Sequence, residues 1–309
     1  MTMKKCIMLA LILLAIGFTK AHACDICGCG VGSYYIGILP EFNKKIVGVR
    51  YQYKTLRTHL GAGGTTSYLT TDETYRTVEV WGGWNIGKRI RVMGFVPFNF
   101  NERLNQGITT TKNGIGDIAL TGYYQLFNTQ KTLGSKLLVH SLWMGGGVKL
   151  PTGKYEPVGK QPGVETANIF QLGTKSVDFT LNAMYDIRLQ DAGMNVNANY
   201  KINTANNYDY EYGNKFSGNA QLYYKFKIKQ AVTIAPNTGV LYETAQKDMD
   251  GKYESDVSGG YALSGTAGLE AAFQKFSVGG NWQTPLSQNL ANGFVKANNR
   301  MMLHVSYRL

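Results

Sequence analysis

Beyond residue 23 the sequence has no apolar run close to the roughly 18 residues that a membrane-spanning helix needs, which excludes a helical membrane protein. Charge is sparse as well: 17% of residues are charged, below the roughly 25% of ordinary soluble domains. Proline is rare, with 7 in 309 residues. Cysteine is rarer, with 4, and none lies beyond Cys29. In contrast there are 37 Gly and 20 Tyr, a bias that suits closely packed, curved strands and aromatic girdles. Hydrophobic residues make up 44% of the chain and mean hydropathy is -0.20, values that fit a soluble protein or a β-barrel equally.

The N-terminus has the three parts of a secretory leader: Lys4 and Lys5, an apolar run from Cys6 to Phe18, and the small-residue site Ala21-His22-Ala23. Cleavage there starts the mature chain at Cys24. The formal net charge of +12 then falls by about three, as Lys4, Lys5 and Lys20 leave with the leader. Export removes nucleic acid as a partner for the remaining positive charge. Lipopolysaccharide phosphates, anionic solutes or an anion preference of a lumen take its place.

Period-two alternation dominates the remainder. Met194, Val196, Ala198, Tyr200 and Ile202 interleave with Asn195, Asn197, Asn199 and Lys201, the pattern of a strand with one lipid face and one wet face. The alternation predicts twelve strands, near 45–58, 73–86, 88–100, 114–127, 135–150, 174–189, 192–204, 214–229, 231–244, 258–273, 275–285 and 298–309. Tight turns near Gly87, 128–134, Asp191, Gln230 and Gln274 alternate with longer polar loops near 59–72, 101–113, 151–173, 205–213, 245–257 and 286–297. A soluble β-sandwich has no reason to keep that rhythm. The expected fold is therefore all-β, a transmembrane antiparallel up-and-down barrel of about 12 strands with both termini in the periplasm of a Gram-negative bacterium. The expected organisation is a signal peptide over 1–23, a periplasmic cysteine-containing segment over 24–44, and the outer-membrane barrel over 45–309. In the last strand Met301, Leu303, Val305, Tyr307 and Leu309 share a face, opposite Arg300, His304, Ser306 and Arg308. It resembles the terminal signal read by the barrel assembly machinery, although that signal usually ends in Phe rather than Leu.

Gly114-Ile115-Gly116-Asp117-Ile118 opens a strand ending in Tyr124-Gln125-Leu126-Phe127, and the next runs into Val148-Lys149-Leu150-Pro151-Thr152-Gly153-Lys154. This pairing resembles the outer-membrane proteins named for the MetA pathway of phenol degradation, a family described as candidate transporters. The resemblance implies an outer-membrane channel and names no solute. Read physically, the two segments are a strand entry and a loop exit.

The mature head, Cys24-Asp25-Ile26-Cys27-Gly28-Cys29, brings three thiols within six residues, so Cys24, Cys27 and Cys29 are candidate ligands for copper or zinc. A disulfide between two of them and a lipid anchor on Cys24 are the competing readings. Catalysis has one candidate, His304-Val305-Ser306, spaced like the His-x-Ser pair of an outer-membrane phospholipase barrel. Its expected inward face is the wrong one for a lipid hydrolase, so no enzymatic role is assigned. Inward positions are expected for Glu79, Asp117, Asp178, Asp186 and Glu270. They are also expected for Arg50, Lys54, Arg91, Arg188, Lys201, Lys215, Lys225, Lys227, Arg300 and Arg308, a twofold excess of cations. The resulting expectation is a channel or transporter for a small solute, linked through its cysteines to soft-metal handling, with outer-membrane lipids and lipopolysaccharide as surroundings. The alternatives are a non-transporting barrel that binds metal or anchors, and, behind it, a lipid-hydrolysing barrel.

Overall fold

A computed structural model describes residues 44–157, 168–229 and 231–309. Twelve long antiparallel strands close on themselves. They are β1 (Ile46–Thr58), β2 (Thr71–Ile86), β3 (Ile90–Asn105), β4 (Ile118–Leu133), β5 (Lys136–Leu150), β6 (Asp178–Leu189), β7 (Ala192–Ile202), β8 (Lys215–Tyr224), β9 (Val232–Ala245), β10 (Gly260–Phe273), β11 (Phe276–Leu290) and β12 (Lys296–Arg308). Each pairs with its neighbours in sequence, and β1 closes against β12 with Ile46 opposite Arg308 and Val49 opposite Val305. Closure leaves no free edge around the wall, so its backbone donors and acceptors are satisfied without water.

The alternation read from sequence is the alternation of burial. Along β12, Leu303 and Val305 are exposed on the outside while Met302, His304 and Ser306 are buried within. Outside, the apolar belt is bordered by aromatic residues at both ends: Trp84, Tyr124, Phe273 and Phe276 at one, Phe100, Phe179, Tyr200 and Phe216 at the other. Such a belt with aromatic borders is the outer surface a bilayer requires.

The two rims differ. Five short connections and both ends of the wall share one rim, where Leu309 N donates to Lys45 O at 3.0 Å. Six connections form the other, five of them longer than any on the first rim. There, the segments Tyr210–Glu211, Met249–Asp250 and Tyr253–Glu254 make a small three-stranded sheet that ties two of the loops together.

Several boundaries depart from the sequence expectation. Residues 101–113 were expected as a loop, yet β3 continues to Asn105 and turns into a further strand, Ile108–Ile115, which pairs back on it. The run Ile108-Thr109-Thr110-Thr111 is β-branched and supports such an extension, but being polar and exposed on both faces it gives no alternation to read. The strand expected from 114 begins instead at Ile118, and it persists through the expected turn at 128–134 as far as Leu133. Likewise β11 runs five residues beyond its expected end at 285, to Leu290. The strand expected from 174 begins at Asp178, because the residues before it fold into the barrel.

Candidate functional site: the barrel interior

Among the described residues, 168–174 of the β5–β6 connection turn into the barrel. Asn168, Ile169, Phe170, Gln171, Leu172 and Thr174 are all buried, which is unusual for loop residues. Their backbone carbonyls are taken up by side chains of β3 and of the β7–β8 connection: Asn99 Nδ2 donates to Leu172 O at 3.3 Å, Asn101 Nδ2 to Gln171 O at 3.2 Å, and Tyr212 OH to Asn168 O at 3.0 Å. Ile169 and Phe170 pack with Leu56, Tyr75, Ala262 and Leu290 in one apolar cluster, so the segment is held by packing as well as by hydrogen bonds. Arg103 lies over the Phe170 ring at 4.3 Å while bonding Glu73 at 2.7 Å.

A buried ionic node anchors the base of this segment. Lys149 Nζ lies 2.6 Å from Asp117 Oδ2 and 2.9 Å from Asp178 Oδ2, and donates to Thr174 Oγ1 and, at 3.0 Å, to Ser176 O. Lys201 Nζ adds a second cation at 3.0 Å from Asp178. Asp117 also accepts from the backbone N–H of Gly153 and of Thr174, each at 2.9 Å. Four charges with side chains at most 1–2% exposed are tolerable only because each is paired and hydrogen-bonded.

The node also accounts for the family-like segments. Thr152 Oγ1 donates to Gly116 O at 2.8 Å and accepts from Ile118 N at 2.9 Å, joining the two across the start of β4 and the end of β5. Gly153 and Gly173 have Cα atoms so close that a Cβ on either would lie 2.7 Å from the other. Strand entry and loop exit are thus correct local readings of a single latch.

Nearer the short-turn rim, one wall is apolar: Trp81, Met93, Phe95, Tyr123 and Trp143 pack together, and Gly48 leaves the space that Trp81 fills. On β7 and β8 the inward face carries an amide ladder, with Asn197 Nδ2 donating to Asn195 Oδ1 at 2.6 Å and to Asn219 Oδ1 at 3.1 Å. The Trp81 position was legible, since it shares a face with Glu79. The aromatic wall as a whole went unread because inward positions were expected to be polar.

All five carboxylates expected inside are there. Glu79 pairs with Arg50, Asp117 and Asp178 join the Lys149 node, and Asp186 accepts from Tyr223 OH at 3.0 Å. Glu270 and His304 sit side by side, in space that a Cβ on Gly279 would close to 2.6 and 2.7 Å. The expected excess of inward cations does not hold in the fully buried layer. There, among the described residues, Arg50, Arg91, Lys149 and Lys201 face Glu73, Glu79, Asp117, Asp178, Asp248 and Glu270. Lysines expected inside also move out: Lys227 is 62% exposed at the rim, bonded to Asp191 at 2.9 Å. Lys54, Arg188, Lys215, Lys225, Arg300 and Arg308 are half-buried, Arg300 on Glu243 at 2.7 Å. Sequence reasoning missed Lys149, Glu73 and Glu243, of which Lys149 shares a strand face with Trp143 and was therefore readable.

His304 and Ser306 are both buried inside, away from the outer apolar face. Cys24, Cys27 and Cys29 lie outside the described residues, and among the described residues no cluster of three or more His, Cys, Asp or Glu is disposed to hold a metal ion. On the long-loop rim, Glu156 bridges Lys112 at 2.8 Å and Lys154 at 2.7 Å, and these hydrogen bonds, Lys112 first, pull its carboxyl down to about 2.

A family model described as "Putative MetA-pathway of phenol degradation" matches residues 52–299. Among solved structures, the COG4313 outer membrane channel from Pseudomonas putida F1 is similar at 15% identity with a TM-score of 0.57, over 90% of this chain and 100% of that one. The β domain of the Bordetella autotransporter BrkA is similar at 11% identity with a TM-score of 0.50, over 86% and 100%. At such identities the likeness is one of fold. No curated protein matches the sequence.

Proposed function

The chain belongs to the MetA-pathway phenol-degradation family, and from that premise we propose that it is a narrow outer-membrane channel for a small solute. The observation that carries the reading is the inward segment 168–176, latched within a closed twelve-stranded wall by Lys149, Asp117 and Asp178. A barrel of about twelve strands is intermediate between those that side chains fill and the open porins, so an inward loop sets the bore. An aromatic wall together with an amide ladder favours solutes with both an apolar and a hydrogen-bonding part. The gathering of the short turns and both wall ends at one rim favours placing that rim in the periplasm, where a leader over 1–23 would deliver the chain and the barrel assembly machinery would insert it. Vesicles carrying the protein are expected to swell in arabinose and to remain unswollen in raffinose. Equal swelling in both would mean a wide pore.

The close packing of Phe170 favours a second reading, a barrel that does not transport, and absence of swelling in either sugar would establish it. The link to soft-metal handling rests on the spacing of Cys24, Cys27 and Cys29 alone. Reduced mature protein is expected to bind about one Cu(I), since three sulfur donors on a short loop suit that ion. Replacing Cys27 and Cys29 by Ser should abolish the binding; a wild-type chain that takes up no copper removes the metal reading.

A further inference from the structure

The positive charge of the chain is not spread evenly over the two rims. On the long-loop rim cations are matched by acids: Arg57 pairs with Asp72 at 2.9 Å, Arg76 with Glu102 at 3.4 Å, and Lys112 and Lys154 share Glu156. On the short-turn rim the five connections contain a single acid, Asp191, which pairs with Lys227 at 2.9 Å. The β2–β3 turn carries Lys88 and Arg89, the β8–β9 turn Lys227 and Lys229, and the β10–β11 turn Lys275, while Lys45 precedes β1; all six are exposed. Three of these bases, Lys45, Arg89 and Lys275, stand at the level of the outer aromatic border. Lys45 Nζ sits 4.0 Å above the Trp84 ring and Lys275 Nζ 5.6 Å from that of Tyr307, while Arg89 Nη1 donates to Tyr124 OH at 3.3 Å.

We infer that this rim is a cationic collar that binds the headgroups of anionic glycerophospholipids. An aromatic border fixes the depth at which a barrel leaves hydrocarbon for headgroups, and Lys or Arg stems laid along those rings place ammonium and guanidinium groups at the phosphate level. A ring of cations with one acid is complementary to a leaflet bearing negative phosphates. The long-loop rim, internally neutralised, makes no comparable demand. Phospholipid rather than lipopolysaccharide is the assigned source because the collar surrounds the chain ends and short turns, the rim proposed to face the periplasm. The inference rests on that membrane placement.

The test uses the full mature chain in detergent, with phosphatidylglycerol and phosphatidylcholine offered together and the retained lipids counted by native mass spectrometry. Each basic residue near an anionic surface strengthens attachment roughly fivefold. Wild type should therefore retain phosphatidylglycerol in clear excess, and the combined variant Lys45→Gln, Lys88→Gln, Arg89→Gln, Lys275→Gln should reduce that preference by at least about tenfold. The long-loop variant Lys154→Gln, Lys175→Gln, Lys252→Gln, Lys296→Gln should keep it. Lys45→Gln and Lys275→Gln singly, each with a smaller loss, serve if the combined variant does not fold. Equal retention of the two lipids by wild type, no loss in the collar variants, or an equal loss in the long-loop variant overturns the inference. So does a preference for lipid A over phosphatidylglycerol through the same residues. Heat-modifiable migration of the same samples reports on the barrel separately; its absence in wild type would be a failure of the membrane reading rather than of the collar.

Discussion

Replacing Lys149 by Met is expected to release the inward segment and admit raffinose to vesicles that the wild-type protein keeps closed to it. Lys149 is the cation that Asp117 and Asp178 share. Met fills much of the same volume but leaves Asp117 without a cation, and an unpaired buried charge costs about 3–5 kcal/mol. The lower end of that range applies, since Asp117 keeps its bonds from Gly153 N, Thr174 N and Thr174 Oγ1, and Asp178 keeps Lys201. The cheapest relief is for water to enter and the 168–176 segment to move out, because the wall is held by strand ladders that do not involve the node. Adding Asp117→Asn to Lys149→Met removes the stranded charge and should restore much of the closure. A Lys149→Met protein that still excludes raffinose would show that the apolar seat of Ile169 and Phe170 is enough to hold the segment.

A charge on the outer face should be the most damaging single change to assembly. Val240 is central in β9, 46% exposed on the apolar belt, between Ala220 of β8 and Gly265 of β10. Val240→Arg places a guanidinium near the midplane, at about 2–4 kcal/mol. Asn219, next to Val240's partner Ala220 on β8, faces the amide ladder inside, where Asn219→Lys meets other polar groups. Urea titration of the two variants in lipid vesicles should give a much lower midpoint for Val240→Arg. Similar midpoints would place the hydrophobic belt elsewhere.

The wall was legible in the sequence because a bilayer on one side and polar groups on the other enforce period two, as the 192–202 segment does almost residue for residue. Reading failed where that enforcement ends. Residues 108–115 extend beyond the belt, exposed on both faces, so nothing in their pattern marks them as strand. The inward segment was hidden for a different reason. Asn168, Gln171 and Thr174 are polar, as loop residues are, and their burial depends on partners such as Asn101 and Tyr212, 44 to 70 residues away in sequence. Asp117 is inside as expected, but its partner Lys149 stands in the segment read as a loop exit and is not among the cations expected to face inward. The lumen's charge was misjudged because alternation assigns a face and not a depth. Lys227 has the right parity yet lies past the end of β8, where the face is already rim.

The central claim is that a closed barrel carries a narrow path set by its inward segment, and single-channel recording in planar bilayers tests it most directly. Wild-type protein should give small, discrete conductance steps, and protein lacking residues 169–172 should give steps several-fold larger. Silence from both would contradict the account, and so would steps of one size from both.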